Sequence, residues 1–324
     1  MVVRLDNIRK AFASGFLMKR KAVLRGVSLG IHAGDAYALL GANGAGKSTT
    51  LRILLGLTRA DAGEGRLFGR PLDDRVVHAR LGYLPENPSF HEQLTAREFL
   101  SYCGKLVGLR SAALSRRVDE LLERVRLEDA RNIRLRKMSK GMLQRLGLAQ
   151  VLLADPELLV LDEPMSGLDP PGRKLVRDLI VEQRDAGKTV LFSTHILSDA
   201  EVVCTRAGIL RGGLVVRELS LEELGRLQSE SVEVEVSGLP DALVRQLQTR
   251  ARSVIHAAGS VLFTVAPGRE VRDLLQSTLA AGGNVESIVP RRVSLEEVYL
   301  DTTRREVEAH DTRPLAPVGS GGAR

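Results

Sequence analysis

The 324-residue sequence has no tryptophan, and aromatic residues make up only 3% of it. Cysteine is almost as scarce: Cys103 and Cys204 are the only two, and no C-x-x-C pair occurs. Two cysteines cannot build the disulfide framework of a small secreted protein. We therefore interpret both as small buried apolar residues in a reducing cytoplasm.

Long apolar runs are also missing. No uninterrupted apolar segment approaches the roughly 18 residues that a membrane-spanning helix needs. The N-terminal residues lack the basic-then-apolar layout of a signal peptide. We therefore predict a cytoplasmic protein, which could still lie against a membrane protein at the inner face of the cell membrane.

Positive charge is in excess but unevenly placed. The formal net charge is +7, and residues 110–147 contain eleven Lys or Arg against five Asp or Glu. A basic segment can bind nucleic acid or anionic lipid headgroups. Residues 110–147 contain no aromatic side chain on which bases could stack, so we favour solvated helical faces and do not expect nucleic acid as a partner.

A glycine-rich segment is the strongest motif in the chain. It follows the apolar run 37–40, precedes a stretch with helical apolar spacing, and reads Gly41, Ala42, Asn43, Gly44, Ala45, Gly46, Lys47, Ser48, Thr49. This strand, loop and helix match the G-x-x-x-x-G-K-[ST] phosphate-binding pattern. Lys47 is expected to reach the β- and γ-phosphates of a nucleoside triphosphate, and the Ser48 hydroxyl to bind Mg²⁺.

Two further apolar strands end in chemically active side chains. Leu158–Leu161 runs into Asp162 and Glu163, and residues 189–193 are followed by Thr194 and His195. Acids at the carboxyl end of a buried parallel strand lie where an α/β sheet binds ligands. We predict that Asp162 binds Mg²⁺, that Glu163 is the general base, and that His195 faces the γ-phosphate.

Three weaker candidates lie outside these strands. Glu86 follows the short strand 80–85, and considered on its own it is better interpreted as a surface carboxylate than as a ligand-binding residue. Ser139 has the position of an N-cap, with Gly141 beside it, at the end of a helical block that runs from about residue 95 to 153. Phe12 or Phe16 could stack on a nucleotide base, and core packing is at least as good an interpretation for each.

A second pattern of strands and helices begins after residue 219. The pattern from 231 to 302 predicts β-α-β-β-α-β, the order of a split βαβ module with its own sheet. The tail from about 303 contains prolines and glycines and is predicted to be disordered. The tripeptide Lys19–Lys21 is interpreted as an exposed loop between two N-terminal strands.

In combination, these motifs closely resemble the ATP-binding cassette (ABC) ATPases over roughly residues 2–220. Gly41–Thr49 corresponds to Walker A, Glu86 to the Q-loop position and Ser139-Lys140-Gly141 to the signature. Asp162 and Glu163 correspond to Walker B and its catalytic acid, Ser166–Asp169 to the D-loop and His195 to the switch histidine. Phe12 falls at the family's base-stacking aromatic. The signature Met138-Ser139-Lys140-Gly141-Met142 and the glutamate at position 86 depart from the family's usual residues.

The resemblance implies an α/β P-loop NTPase cassette with a RecA-like core, an antiparallel β subdomain and a helical subdomain, followed by a small α+β module. The expected divisions are 1–222 for the cassette, about 88–155 for its helical subdomain, 223–303 for the module and 304–324 for the tail. The cofactors implied are ATP and Mg²⁺. Two cassettes are expected to pair head to tail, so that Ser139, Gly141 and Asp169 of one chain help to bind the ATP of the other.

The function implied is that of the ATP-hydrolysing subunit of a bacterial exporter of the drug, polysaccharide or sodium-efflux type, working with an integral-membrane permease. An alternative is an ABC ATPase that acts on ribosomes or DNA, which the sequence pI of 9.7 leaves open. A single Walker A and the lack of a long heptad run count against it. A non-enzymatic nucleotide sensor is a third possibility, against which Glu163 and His195 argue.

Overall fold

The computed structural model describes residues 1–14, 19–226, 231–257, 259–291 and 293–302, and it divides them into two units. The first comprises Met1–Leu221 and the described residues from Tyr299 onward, and the second comprises Glu222–Val298. The predicted disordered tail and Phe16 lie outside the described residues.

Two sheets build the first unit. One is antiparallel in the order β2-β1-β4-β5, from β1 (Val3–Ser14), β2 (Lys19–Ile31), β4 (Ala62–Leu67) and β5 (Arg70–Pro71). The other has the order β10-β9-β3-β8-β7-β6, from β3 (Ala36–Leu40), β6 (Leu81–Leu84), β7 (Leu158–Asp162), β8 (Thr189–Thr194), β9 (Arg206–Arg211) and β10 (Leu214–Ser220). Its strands are parallel except β10, which pairs antiparallel with β9.

The central strands β3, β7 and β8 are buried at every position. Such burial is typical of parallel strands that have both faces covered, and it explains their continuous apolar sequences. The helices of this unit are α1 (Lys47–Leu54), α2 (Arg75–His78), α3 (Ala96–Leu106), α4 (Ser111–Arg124), α5 (Lys140–Leu152), α6 (Pro170–Asp185) and α7 (Leu197–Val203), with a 3₁₀ turn at Leu135–Lys137.

The interpretation of Lys19–Lys21 as a loop is wrong. Strand β2 begins at Lys19, and Arg20 and Lys21 pair in register with Ala13 and Phe12 of β1. Arg20 and Lys21 are exposed there. A ladder of backbone hydrogen bonds needs no apolar side chains where a strand faces solvent, so a run of charge does not by itself end a strand.

The second unit is a four-stranded antiparallel sheet in the order β12-β13-β11-β14. After α8 (Leu221–Arg226), its elements follow as β11 (Val232–Ser237), α9 (Asp241–Gln248), β12 (Ser253–Ala257), β13 (Ser260–Val265), α10 (Arg269–Ala280) and β14 (Asn284–Pro290). The predicted β-α-β-β-α-β order is confirmed, and residues 295–302 are helical as predicted. Val234, Val236, Phe263 and Leu274 form its core.

Candidate active site

The phosphate-binding loop connects the buried strand β3 to helix α1. Gly46 caps α1 with a φ of 111°, a left-handed conformation that L-residues other than glycine rarely adopt. A Cβ atom at Gly46 would also lie 2.6 Å from Leu24 Cδ2. Glycine is therefore required at position 46 both by backbone conformation and by the close approach of β2.

Lys47 projects from the first turn of α1 and is only 5% exposed. Its Nζ donates to the carbonyl oxygens of Gly41 at 2.7 Å and Ala42 at 3.4 Å. The same Nζ lies 3.0 Å from Glu163 Oε1. The ion pair lacks hydrogen-bond alignment, which leaves Glu163 Oε1 buried without a hydrogen-bond partner. The ammonium is thus held at the mouth of the loop, beside a carboxylate from another strand.

Asp162 and Ser48 form the pair of oxygens expected for a Mg²⁺ site. Ser48 Oγ donates to Asp162 Oδ1 at 3.2 Å, although 114 positions separate the two residues. Asp162 is 1% exposed. Burial and, second, the charge of Asp162 raise the pKa of Tyr83 on β6. A hydroxyl and a carboxylate side by side are hard oxygen ligands, which fit Mg²⁺ when phosphates and water complete its shell.

Glu163 adopts a φ of 48°, left-handed and uncommon for a residue with a side chain. This turn directs its carboxylate toward two positive or protonatable groups. His195 Nδ1 lies 2.9 Å from Glu163 Oε2, while Lys47 lies beside Oε1. Glu163 is 6% exposed, whereas the His195 side chain is 42% exposed. The structure therefore brings Lys47, Glu163 and His195 together, as the strand-end argument predicts.

Ser193 is a residue that the sequence analysis missed. Its hydroxyl donates to Asp162 Oδ1 at 2.6 Å and accepts from the backbone N–H of Glu163 at 2.9 Å. Ser193 is fully buried at the end of β8, paired in register with Asp162. It connects the metal-binding acid to the backbone of the catalytic acid. The available signal was a hydroxyl two positions before His195, at the end of the apolar run Val190–Phe192.

A cleft of about 920 Å³ opens over Lys47, Ser48 and Glu163, whereas Asp162 and His195 lie behind or beside them and are not among its lining residues. It is lined by Lys21, Ala22, Val23, Arg25, Asn43, Gly44, Ala45, Gly46, Lys47, Ser48, Thr49, Glu86, Glu163, Gly212 and Gly213. Glu86 thus faces the same space as the phosphate-binding loop. Phe12 is not one of the lining residues; it is 42% exposed, and Lys10 Nζ lies 5.5 Å from its ring centroid. Base stacking by Phe12 stays a prediction.

Ser139, Gly141 and Asp169 do not line this cleft and instead lie at the starts of two helices. Ser139 caps α5 by accepting from the Met142 N–H at 3.2 Å, as predicted. Asp169 caps α6 by accepting from the Gly172 N–H at 3.1 Å. A Cβ atom at Gly141 would lie 3.4 Å from Leu168 Cδ2, so the two helix starts are neighbours.

Lys140, the residue that replaces a glycine of the usual signature, lies against the D-loop. Its Nζ and Cε are each 3.4 Å from the point where a Cβ atom of Gly167 would be. Gly167 has a φ of 72°. Lys140 therefore packs over an exposed left-handed glycine of its own chain.

The described residues contain neither a metal-binding cluster of His, Cys, Asp or Glu nor a membrane-spanning helix. No group of three or more His, Cys, Asp or Glu side chains there is arranged to hold a metal ion. Within the same residues, no helix combines the length and apolar character needed to cross a bilayer. The pair of Ser48 and Asp162 is not excluded by the first finding, because a serine and one acid fall outside such a group.

Comparison with known proteins gives a consistent result. Residues 24–166 match the family described as ABC transporter. The chain is 41% identical to an uncharacterized ABC transporter ATP-binding protein of Nostoc sp., over 94% of this chain and 90% of that protein. It is 35% identical to the Nod factor export ATP-binding protein I of Cupriavidus pinatubonensis, over 94% and 92%. A solved dimeric, post-hydrolysis ATP-binding cassette bound to ADP and Pi matches with a TM-score of 0.63 and 26% identity, over 68% of this chain and 98% of that one.

Proposed function

The chain belongs to the ABC transporter ATP-binding proteins and has their ATPase cassette fold, and from that premise we propose that it energises export through a separately encoded integral-membrane permease. The position of Glu163 is the observation that supports hydrolysis at this cleft. Its carboxylate lies 3.0 Å from Lys47 Nζ and 2.9 Å from His195 Nδ1, at the edge of the phosphate-binding loop.

In the proposed reaction, Glu163 accepts a proton from the water that attacks the γ-phosphate in line. His195 holds the Glu163 carboxylate from one side and is exposed enough to reach the γ-phosphate. Lys47 and the backbone N–H groups of the loop neutralise the charge that develops on the phosphate oxygens. Ser48 and Asp162 would hold Mg²⁺, with Glu86, which lines the same cleft as Ser48, as a further ligand. Held there, Mg²⁺ would supply positive charge beside the phosphate oxygens.

We further propose that the working unit is a head-to-tail homodimer. Ser139, Gly141 and Asp169 lie at helix starts that do not line their own cleft, which leaves these residues available to a second copy. Helix N-termini stabilise anions through free N–H groups and the helix dipole, so the start of α5 suits a γ-phosphate. The dimeric state of the matched cassette supports this arrangement.

The membrane partner is proposed to dock on the helical subdomain. The end of α3 exposes three neighbouring apolar side chains, with Tyr102 at 47%, Leu106 at 69% and Val107 at 52%. An exposed apolar cluster of this kind is typical of a protein-binding surface. This docking would place the protein peripherally on the inner face of the membrane. The name of the Cupriavidus relative supports export, and the alternative of action on ribosomes or DNA is not favoured.

Substitution of Glu163 by Gln tests the proposal. The change removes the proton acceptor while preserving shape, so ATP should still bind, turnover should fall about 10²- to 10⁴-fold, and an ATP-bound dimer should accumulate. Glu182→Gln, at an exposed position of α6, is the matched control and should leave turnover unchanged. Turnover at the wild-type rate in Glu163→Gln would remove Glu163 as the base. Export also predicts a neighbouring gene for a multi-span membrane protein, and a genome without one beside this gene would count against it.

A further inference from the structure

Helix α7, which begins two residues after His195, contains a buried charge that the proposed reaction does not use. Asp199 is 3% exposed. Its Oδ1 accepts from Arg177 Nη1 at 3.0 Å. Its Oδ2 is buried and has no hydrogen-bond partner. A buried carboxylate oxygen without a hydrogen-bond partner lowers the free energy of unfolding. Such an oxygen in a folded protein therefore calls for an explanation.

Arg173 is the cation that lies near Asp199 Oδ2. Its Nη1 lies 3.9 Å from Asp199 Oδ2, near enough for an ion pair but too far for a hydrogen bond. The same guanidinium donates through Nε to the backbone carbonyl of Leu168 at 3.2 Å. Leu168 belongs to the D-loop, residues Ser166–Asp169. One side chain therefore spans the D-loop and the helix that follows His195.

We propose that Arg173 is a positioning residue that fixes the D-loop relative to His195. Its planar fork can serve the Leu168 carbonyl and Asp199 together, because guanidinium has five donors in a rigid geometry. A shift of Nη1 by about 1 Å completes the hydrogen bond to Asp199 Oδ2, since such bonds form near 2.9 Å. The Arg173 guanidinium then holds the Leu168 carbonyl of the D-loop and Asp199 of α7 at a fixed separation. Leu168 also neighbours Gly141, so the start of α5 lies against the same D-loop segment.

Arg177 provides the internal comparison. It contacts the same carboxylate of Asp199 from the next turn of α6, at the shorter distance of 3.0 Å. Arg177 makes no hydrogen bond to the D-loop among the contacts of the described residues. If Asp199 served only to attach α7 to α6, the loss of Arg177 would have the larger effect. If Asp199 serves to fix the D-loop, the loss of Arg173 has the larger effect on kcat.

The experiment compares Arg173→Lys with Arg177→Lys in the full-length protein. Both changes keep the positive charge but replace the planar guanidinium, with its several N–H donors, by a single ammonium group. Arg173→Lys should lower kcat about tenfold, the factor that 1.36 kcal/mol represents, with the KM for ATP within twofold because Lys47 and Ser48 are untouched. Arg177→Lys should lower the melting temperature and leave kcat within twofold. Equal losses of kcat in the two variants, or none in Arg173→Lys, would overturn the proposal.

A double-mutant cycle with Asp199→Asn gives the second readout. The double variant Arg173→Lys/Asp199→Asn should lose no more kcat than either single variant, because both remove one coupled unit. Losses that multiply would overturn the proposal. Should Asp199→Asn fail to fold, the two arginine variants decide the question alone. The inference rests on the proposed roles of Glu163 and His195, which Glu163→Gln tests separately because that variant leaves Arg173 unchanged.

Discussion

Substitution of Ser193 by Ala removes a single buried hydroxyl that connects two functional acids. The hydroxyl donates to Asp162 Oδ1 at 2.6 Å and accepts from the Glu163 N–H at 2.9 Å. Alanine leaves that N–H without an acceptor and removes one of two donors from Asp162, which keeps Ser48 at 3.2 Å. Glu163 also holds a left-handed backbone that its neighbours must maintain.

The magnitude follows from these two hydrogen bonds. A hydrogen bond to a charged group contributes about 1.5–3 kcal/mol, so a loss of about 2 kcal/mol in the free energy of unfolding is a fair central value. In a unit of this size that loss lowers Tm by about 4–8 °C. If the same loss is felt by the positioned acids in the transition state, kcat falls about 30-fold.

The assay combines phosphate release with calorimetry, and the chain contains a matched control. Thr189, at the opposite end of the same strand, has a hydroxyl that accepts from the Gly34 N–H at 3.2 Å and is 2% exposed. Thr189→Val should lower Tm by a smaller amount, because the hydrogen bond that it removes joins two neutral groups, and it should leave kcat unchanged. The reasoning is refuted if Ser193→Ala lowers kcat no more than Thr189→Val does.

Three further outcomes are expected. Lys47→Ala should weaken ATP binding about 100-fold or more in a direct binding assay, since a charge-assisted contact to phosphate is lost; wild-type affinity would contradict the phosphate-loop assignment. If Glu86 binds Mg²⁺, Glu86→Gln should raise the Mg²⁺ concentration for half-maximal turnover several-fold, because an amide oxygen is the weaker ligand; superimposable Mg²⁺ titrations would argue against it. A chain that ends at Leu221 should fold and bind ATP, because the hydrophobic core beneath the phosphate-binding loop lies within residues 2–215; failure to bind would show that the cassette needs residues beyond Leu221.

Much of the site could be predicted because its information is local or topological. The residues Gly41–Thr49 specify their own conformation through glycines and a helix start. Asp162 and His195 could be placed near the loop because the carboxyl ends of neighbouring parallel strands meet at one edge of a sheet. The observed pairing of Asp162 with Ser193 across β7 and β8 is the register that this argument requires.

The rest depended on details that sequence pattern does not contain. Ser193 reads as one more residue of a buried strand, because a hydroxyl has no periodic signature. The distance between Arg173 and Asp199 depends on how α6 and α7 pack, which spacing alone does not determine. Lys19–Lys21 begins a strand where a loop is predicted, because charge is a weak indicator of local backbone structure when a strand faces water.

The left-handed backbone of Glu163 makes position 163 a site where stability and catalysis favour different residues. Glycine suits the backbone there, whereas hydrolysis needs a carboxylate. A residue with a side chain loses about 1 kcal/mol or more in that conformation, and glycine loses little. A library of this gene selected only for survival at high temperature should therefore enrich glycine or asparagine at position 163 and discard hydrolysis along the way.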